Sequence, residues 1–356
     1  MGVLSPVLED TSEITIVSCS ASDQEEWDAF VAACPLATNY HRWGWRQVIE
    51  GAFGWPCFYI AARAEGRTCG VLPIVWQKSR LFGSFMTSMP FLNGGGVLAE
   101  TESAALALTR EAIALASRNG AKYLELRHRE AQPGLELATR SHKVRVVREV
   151  QPDTEAMFRS FDPKLRADIR KALKWELQSE VGGPELLQEF YRIFTENMRD
   201  LGTPPYSRSF FDEIYRVFPD TTYITVVRHQ GTAIASSFLI AHGDTVEAGW
   251  SSSLRKYLAM KPNMALYWQN LRLAGERGYR LFDFGRSTVG SGTHRFKMQW
   301  GGREEPLHWD YWAPPGGTLP DLNPNNPKYE LMIRAWKKLP VGLTRLIGPP
   351  IVKRLP

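Results

Sequence analysis

Alternating apolar and polar positions in two parts of the chain predict two β-hairpins. In residues 58–77 the alternating runs flank Gly66, and in residues 222–251 they flank Gly231 and continue into a third strand after Gly243. A period of two places every second side chain on one face of a sheet. The same unit is therefore predicted twice.

Each predicted hairpin is followed by an amphipathic helix and then a short strand. Residues 104–127 and 265–286 both show this pattern, and each helix stops at a glycine, which is the residue that most often ends helices. A further helix is predicted ahead of each hairpin, beginning near Tyr40 in the first copy and near Tyr206 in the second.

Four matching elements in the same order indicate an internal repeat. The repeat predicts an α/β (α+β) fold of two similar domains, each a mixed sheet flanked by helices. We expect the first domain at residues 1–150 and the second at residues 151–312. Residues 313–356 are expected to be a linker and a tail of basic and apolar residues.

The composition limits the classes of function. Of the 356 residues, 44% are hydrophobic and 23% are charged, which excludes a wholly disordered chain. The net charge of +5 suits an anionic small substrate or lipid headgroups, and it is too small to demand a DNA partner. Aromatic residues reach 12%, which favours pockets lined by flat rings, although a large core would also use them.

The cysteines and the first residues bear on the compartment of the protein. The four cysteines all precede residue 70 and form no CxxC pair, so neither a metal site nor a disulfide framework is expected. The start of the chain lacks a basic region followed by an apolar stretch, and no run of about 18 apolar residues occurs. We therefore expect a cytoplasmic protein.

Several phrases of the sequence resemble one protein family. They are GVLP at 70–73 followed by KSRLFG at 78–83, PFLNGGG at 90–96, LR at 165–166 with IRKA at 169–172, and FDFG at 282–285 ahead of RFKMQWG at 295–301. Over about residues 20–312 the chain resembles the Fem (FemAB) family of bacterial aminoacyl transferases, which are tandem units of the GNAT acyltransferase type. Within that family it looks most like the proteins associated with exopolysaccharide and exosortase loci.

The resemblance implies an acyltransferase that moves an aminoacyl or acyl group to an amine or hydroxyl of a cell-envelope polysaccharide or peptidoglycan precursor. The donor would be a co-substrate, either aminoacyl-tRNA or acyl-CoA, and no cofactor would stay bound. The acceptor would be an envelope glycan precursor, in one version lipid-linked. Two alternatives stay open: an acetyl-CoA-dependent N-acetyltransferase, and a non-catalytic glycan-precursor-binding or scaffold protein.

The segment 282–302 contains the main catalytic candidates. Phe296-Lys297 matches the Fem motif whose lysine lies at the transfer centre, so the resemblance implies that Lys297 stabilises developing negative charge; a surface lysine is the alternative. Asp283 lies in an apolar strand and needs a partner, either as a loop anchor or as a group facing the acceptor. Arg286 precedes a Gly-Ser-Gly turn that would complete an anion-binding nest.

No Ser-His-Asp or Cys-His set is evident, so direct attack within a ternary complex is expected rather than a covalent acyl-enzyme. His41 and His294 are the candidate bases, although a histidine among aromatic residues is often a packed core residue. Tyr40, Trp250 and Tyr257 are aromatic candidates for contact with substrate.

The segment 162–177 predicts a helix with one apolar face and several cations. Arg166, Arg170 and Lys171 would grip a phosphate of the substrate, and an ordinary solvated basic face is the alternative. The family match favours substrate contact. This helix would then roof a cleft between the domains, with the segment 282–300 as its floor.

Two loops are further candidates. Asn93, Gly94 and Gly95 belong to a glycine-rich loop that is either a pocket wall, where backbone approaches a ligand closely, or a strained connection. Lys78, at the end of the preceding strand pair, would reach the same space unless it is simply solvated.

The second loop lies where acetyl-CoA enzymes carry R/Q-x-x-G-x-G/A ahead of the main helix. This chain has Lys261-Pro262-Asn263-Met264 instead. It has no glycine, and its proline removes one N–H donor, so the sequence weighs against a tightly held CoA diphosphate. Asn263 remains a candidate substrate contact.

The residues after Trp312 change in character, from a Pro, Gly and Asn linker to a mixture of basic and apolar residues. Such a tail would lie on an anionic membrane surface at the inner face of the membrane. Packing back on the domains is the alternative. The prolines at 340, 349 and 350 exclude one long helix.

Overall fold

The computed structural model describes residues 13–79, 83–132, 134, 137–319 and 327–355. Three segments considered above lie outside these residues: the start at 1–12, the positions 80–82 in the KSRLFG phrase, and the centre of the linker at 320–326. The described chain forms two mixed β-sheets flanked by helices, which confirms the expected α/β (α+β) class.

The strands in chain order are β1 (Thr15–Ser18), β2 (Cys57–Ala64), β3 (Arg67–Ser79), β4 (Gly83–Thr87), β5 (Leu98–Ala99), β6 (Leu124–His128), β7 (Ala138–Arg140), β8 (Lys143–Glu149), β9 (Gln178–Gly182), β10 (Thr222–His229), β11 (Thr232–His242), β12 (Thr245–Ser253), β13 (Leu281–Thr288), β14 (Arg303–Pro306) and β15 (His308–Trp312).

The α-helices are α1 (Gln24–Ala33), α2 (Gly44–Phe53), α3 (Glu102–Arg118), α4 (Thr154–Arg159), α5 (Pro163–Leu173), α6 (Leu187–Leu201), α7 (Arg208–Val217), α8 (Pro262–Glu276), α9 (Gly292–Met298), α10 (Pro327–Lys338) and α11 (Val341–Val352). Short 3₁₀ turns cover Ala21–Asp23, Asn39–His41, Pro184–Leu186, Pro219–Thr221 and Arg255–Met260.

Both sheets follow the same plan. The first has the order β1-β2-β3-β4-β6-β15-β7, with β5 paired to β3, and the second has the order β14-β8-β13-β12-β11-β10-β9. In each, an antiparallel run is followed by one parallel pair, β4 with β6 and β12 with β13. Parallel neighbours require a crossover connection, and the two predicted long helices, α3 and α8, supply it.

The two sheets exchange one strand with each other. β8 pairs with β13 and β14 in the second sheet, and β15 pairs with β6 and β7 in the first. The expected boundaries at residues 150 and 312 divide the chain into consecutive segments. Each sheet, however, contains one strand from the other unit. Open strand edges carry unpaired N–H and C=O groups, and here each unit supplies the strand that covers an edge in the other.

Local sequence signals account for the helix ends. The Thr101 hydroxyl accepts a hydrogen bond from the Ala104 N–H at the start of α3, and Gly120 follows the end of that helix with a φ of +61°. The Asp162 carboxylate accepts from the Lys164 N–H at the start of α5, where Pro163 is the first helical residue. Side-chain capping of free N–H groups and a left-handed terminal glycine are standard helix signals.

The helices that precede the two hairpins, α2 and α7, pack against each other. Gly44 permits this contact, because a Cβ there would lie 2.6 Å from the Val217 side chain. A single apolar cluster runs through the contact and includes aromatic residues of both units, among them Trp45, Phe53 and Phe210. The two units therefore share one of their apolar clusters, which fixes the cleft between them.

The tail packs back on the second unit. α10 and α11 contact α6, and the Arg345 guanidinium donates a hydrogen bond of 2.8 Å to the Thr195 hydroxyl. The two helices are separated near Pro340, whereas Pro349 and Pro350 lie inside α11. None of the helices in the described part of the chain combines the length and the apolar character needed to cross a bilayer.

Candidate active site

The candidate site begins where the parallel strands of the second sheet separate. β12 and β13 are paired through Glu247 and Asp283, and their pairing ends there. Beyond that point Gly285 adopts a φ of +74°, a left-handed conformation that glycine takes without strain. The strand turns away, and its carbonyl groups are freed for other partners.

Glu247 is buried at this opening and is contacted from the first unit. The Asn93 amide donates a 2.6 Å hydrogen bond to its Oε1, and Tyr40 hydrogen-bonds to the same carboxyl group. Arg129 lies 3.9 Å from it. Burial, followed by the charge of Asp283, raises the pKa of Glu247. Loss of hydration penalises a charged carboxylate, and a second carboxylate adds to that penalty.

Asp283 is buried opposite Glu247 and anchors the backbone. Its Oδ1 accepts a 2.7 Å hydrogen bond from the Gly285 N–H, and its Oδ2 accepts from the Arg145 guanidinium at 3.1 Å. Arg129 lies 3.8 Å away. Of the two interpretations open for Asp283, these bonds match the loop anchor, and Arg145 on the exchanged strand β8 is its cation.

Lys297 is 6% exposed and lies under this turn. Its ammonium group donates to the carbonyl oxygens of Gly285, at 3.0 Å, and Arg286, at 2.8 Å. Burial lowers the pKa of Lys297 to about 8, against the opposing effect of Asp283. An ammonium group has three donors, so these two bonds leave one donor for another acceptor.

Two neighbouring cavities open between the units. One of about 450 Å³ is lined by the 31–39 segment, Arg129, Arg145 and residues around Glu247. The other, of about 370 Å³, shares both arginines and reaches the glycine-rich loop at Gly95. The predicted pocket wall thus borders a cavity, and Asn93 next to it holds Glu247.

The remaining glycine of that prediction, Gly94, is buried, and a Cβ there would meet the Thr38 side chain at 3.4 Å. Its neighbour Gly95 has a φ of +94°, and a Cβ there would lie 2.8 Å from the Met89 side chain. Substituting a larger residue would therefore move the wall of the 370 Å³ cavity.

The contacts of His41 do not fit the predicted role of a catalytic base. Its Nδ1 accepts a 2.9 Å bond from the Thr38 N–H, and its Nε2 donates to the Gly96 carbonyl at 3.0 Å. Burial lowers the pKa of His41 to about 3. Both ring nitrogens are occupied, so His41 holds the glycine-rich loop instead. His294 is similarly engaged, since the Gly290 N–H donates to its Nδ1.

Arg286 and Phe296 flank Lys297 in different ways. The Arg286 guanidinium lies 5.4 Å from the Trp309 ring centre and 3.5 Å from the Leu92 carbonyl, and burial lowers its pKa. Phe296 packs its ring on Tyr267, with centres 5.1 Å apart. Arg286 is thus a cation near the first unit, while Phe296 is part of the packing that seats α9.

The predicted roof of the cleft lies elsewhere, and the predicted floor, residues 282–300, does not line either of the two cavities. Leu165 and Ile169 of α5 are buried in the core of the second unit, and α5 packs on α8, because its apolar face matches that helix rather than the cleft. Arg170 and Lys171 are exposed, and neither they nor Arg166 line either cavity described above. A separate groove of about 430 Å³ runs beside the start of this helix.

α5 covers the start of α8 on one side. Lys261, with a φ of +55°, forms an ion pair with Asp168 of α5, and Pro262 is the first helical residue. Asn263 follows in the first turn and is partly buried. A helix start with a proline and a neutralised lysine offers fewer groups to an anion.

Three other candidates lie away from the Glu247 carboxylate. The Lys78 ammonium packs over the Trp76 ring at 3.6 Å, at an exposed strand end. Trp250 is partly buried and packs edge-on against the core residue Phe211, with ring centres 5.2 Å apart. Tyr257 is partly buried in the 3₁₀ turn before α8, with the Lys256 ammonium 5.1 Å from its ring centre.

Glu247, Arg129 and Arg145 were missed in the sequence. Glu247 carried a usable signal, since it is a carboxylate between the apolar residues Val246 and Ala248, much as Asp283 lies between Phe282 and Phe284. The arginines carried none, because they lie on segments distant in the chain. Within the described residues no group of three or more His, Cys, Asp or Glu side chains is placed to hold a metal ion.

One family model and several solved structures are similar to this chain. Residues 160–298 match the family model described as the acetyltransferase (GNAT) domain. Residues 160–298 form a GNAT acyltransferase domain. It contains the parallel strands, α8 and Lys297, and a GNAT domain takes its acyl group from a co-substrate, acyl-CoA. No curated protein matches the chain.

Solved structures extend the likeness to nearly the whole chain. FemX is 15% identical, covers 90% of this chain and 100% of its own, and has a TM-score of 0.64. L-PGS from Bacillus licheniformis is 15% identical, with 92% and 97% covered and a TM-score of 0.54. A tandem GNAT protein of the clavulanic acid pathway is 14% identical, with 85% and 98% covered and a TM-score of 0.50. The fold of the chain is therefore similar to that of FemX and of the tandem GNAT protein.

Proposed function

We propose that the protein transfers an aminoacyl or other acyl group directly from a donor to an amine or hydroxyl of a cell-envelope glycan precursor, either a polysaccharide or a peptidoglycan precursor. The observation that carries this proposal is a pair of buried groups where the parallel pairing ends: Lys297 bonds to the Gly285 carbonyl, and Glu247 is the last residue of β12 that pairs with β13. The fold likeness to FemX and to L-PGS supports an aminoacyl donor and an envelope acceptor.

In this reaction the acceptor nitrogen or oxygen attacks the acyl carbonyl carbon. A new C–N or C–O bond forms, and the bond from that carbon to the donor's oxygen or sulfur breaks. The donor atom keeps the electron pair of that bond and receives the proton that Glu247 took from the acceptor. The third N–H of Lys297 stabilises the developing oxyanion, and preorganised donors of this kind contribute roughly 10²–10³ in rate. No protein group becomes acylated.

Glu247 is the proton acceptor in this proposal. Its carboxylate faces the 450 Å³ cavity, and the hydrogen bonds from Asn93 and Tyr40 fix its orientation. A carboxylate with a raised pKa is a stronger base than an exposed one. Arg129, near both carboxylates, compensates part of their charge and would also attract an anionic acceptor.

The decisive experiment is a transfer assay with labelled donor and glycan precursor. Lys297→Ala should reduce the rate at least 100-fold, while Lys78→Ala, a matched removal of an exposed lysine, should leave it unchanged. Circular dichroism and thermal melts confirm that both variants fold. Full transfer by a folded Lys297→Ala variant contradicts the proposal.

We propose that the acyl donor is an aminoacyl ester, as in aminoacyl-tRNA. The start of α8, with Pro262 and the Lys261–Asp168 pair, offers little to a CoA diphosphate. The second candidate, an acetyl-CoA-dependent N-acetyltransferase, is favoured by the match to the GNAT domain. Titration calorimetry with acetyl-CoA separates them, as does binding of aminoacyl-tRNA that weakens steeply with salt.

A non-catalytic glycan-precursor-binding or scaffold protein is the alternative of a different class. It would bind the precursor with equal affinity in the wild type and in Glu247→Gln, and it would show no turnover with either donor. We place the transferase in the cytoplasm, where both donors and precursors are made available to it, and at the inner face of the membrane if the precursor is lipid-linked.

A further inference from the structure

The last helix, α11, has two different faces. Thr344, Gly348 and Val352, spaced four residues apart, are buried, and α11 packs on α6. Residues with this spacing lie on one side of a helix. The tail is therefore seated on the second unit by one face, and its other face is available.

The opposite face is apolar and faces outward. Leu343 and Leu346 are 40% and 73% exposed, and Pro350, at the same side, is exposed as well. On α10, Leu331 and Met332 are 76% and 62% exposed. Exposed apolar residues that occur singly are ordinary, whereas a group of them marks a contact surface.

The exposed residues of α10, α11 and the chain just after α11 include several cations. We call the following set the tail surface: Leu331, Met332, Leu343, Leu346 and Pro350 with Arg334, Lys337, Lys338, Lys353 and Arg354. All five of these cations are exposed. From residue 330 to residue 355 the sequence has one carboxylate, Glu330, and it is paired with Arg334. The surface is therefore apolar and strongly cationic.

We propose that the tail surface binds an anionic lipid bilayer and lies in its interface. Exposed leucines insert among acyl chains while lysine and arginine contact anionic headgroups. α11 has 12 residues, which at 1.5 Å each is about 18 Å, too short for a bilayer core of about 30 Å. Face-to-face contact with a second copy would oppose like charges.

This inference does not depend on the transfer reaction, so each can fail without the other. The test is cosedimentation of the full-length protein with vesicles of phosphatidylcholine alone or of phosphatidylcholine with phosphatidylglycerol. We expect binding to the anionic vesicles, weakened by salt, and at least tenfold weaker binding to the neutral ones.

Variants assign the binding to the surface. Leu343→Ser with Leu346→Ser, and separately Lys337→Ser with Lys338→Ser, should each weaken binding to anionic vesicles at least tenfold. Leu258→Ser, at an exposed leucine elsewhere, should not. Thermal melts show that the variants fold, and transfer to a soluble acceptor should be unchanged. Equal binding to both vesicle types, no binding, or a dimer that the leucine variant dissociates overturns the proposal.

Discussion

Glu247 and Asp283 face each other as the last paired residues of the parallel strands β12 and β13. Both carboxyl groups are buried, and Arg129 lies within 4 Å of each. Their surroundings differ, since Asp283 accepts from backbone and Arg145, while Glu247 accepts from Asn93 and Tyr40. Two neighbouring carboxyl groups therefore have different partners, and in the proposed mechanism Asp283 is an anchor and Glu247 is the proton acceptor.

Glu247→Gln should separate activity from stability. Burial raises the pKa of Glu247 in the folded state, so ionisation of this group favours the unfolded state once the pH exceeds its unfolded pKa of about 4.3. The variant should melt at an equal or higher temperature than the wild type at pH 7, and this difference should vanish at pH 4. Transfer should fall at least 100-fold. A variant that retains full transfer removes Glu247 from the mechanism.

The pH dependence of transfer should report Lys297. Its pKa is lowered to about 8 by burial, so the ammonium form, which donates to the oxyanion, is lost as the pH rises through that value. The rate should fall above pH 8. In Lys297→Arg, whose guanidinium stays charged, the residual rate should show no such decline. The same decline in both would assign it to another group.

Gly285→Ala should be more damaging than an equivalent change elsewhere. A Cβ at Gly285 would lie 3.1 Å from the Ala248 carbonyl, whereas Gly231, at a φ of +76°, has no atom within 4 Å of such a Cβ. Each substitution costs roughly 1–2 kcal/mol through the left-handed conformation. Urea denaturation should show a larger loss for Gly285→Ala. Equal losses would mean that the neighbouring strand adjusts freely.

Asp310→Asn should weaken the contact of the exchanged strand β15 with the first sheet. The His128 ring contacts the Asp310 carboxylate at 2.7 Å, and Thr139 donates to its other oxygen. Burial raises the pKa of Asp310, but these bonds outweigh it and the net pKa is lowered. This contribution is present above the unfolded pKa of about 3.9 and is lost as the pH falls through the folded value.

At pH 7 the Asp310→Asn variant should lose about 1–3 kcal/mol in denaturant unfolding, and the difference should shrink in acid. Asp244→Asn is the matched control, since Asp244 forms an exposed pair with Arg280, and such pairs contribute about 0–1 kcal/mol. Comparable losses in the two variants would count against a structural role for the buried contact.

Much of the fold follows from local sequence. The alternation around Gly66 and Gly231 predicted the hairpins β2–β3 and β10–β11, and the amphipathic pattern predicted α3 and α5. Hairpins and helices are decided by neighbours in the chain, so periodicity detects them. The exchange of β8 and β15 was not predicted, because strand partners distant in sequence carry no local signal.

The candidate site was likewise predictable only in part. The sequence determined that Lys297, Asp283 and Asn93 belong to unusual local patterns, namely a family motif, a carboxylate in an apolar strand and a glycine-rich loop. Only the tertiary structure decided which of them meet. In the folded chain Asn93 donates a hydrogen bond to Glu247, and Asp283 accepts one from Arg145 of the exchanged strand. α5 packs on α8 instead of roofing the cleft. The pKa values and positions of these side chains depend on burial and on charges of distant segments. Burial and these charges arise only when the two units pack together.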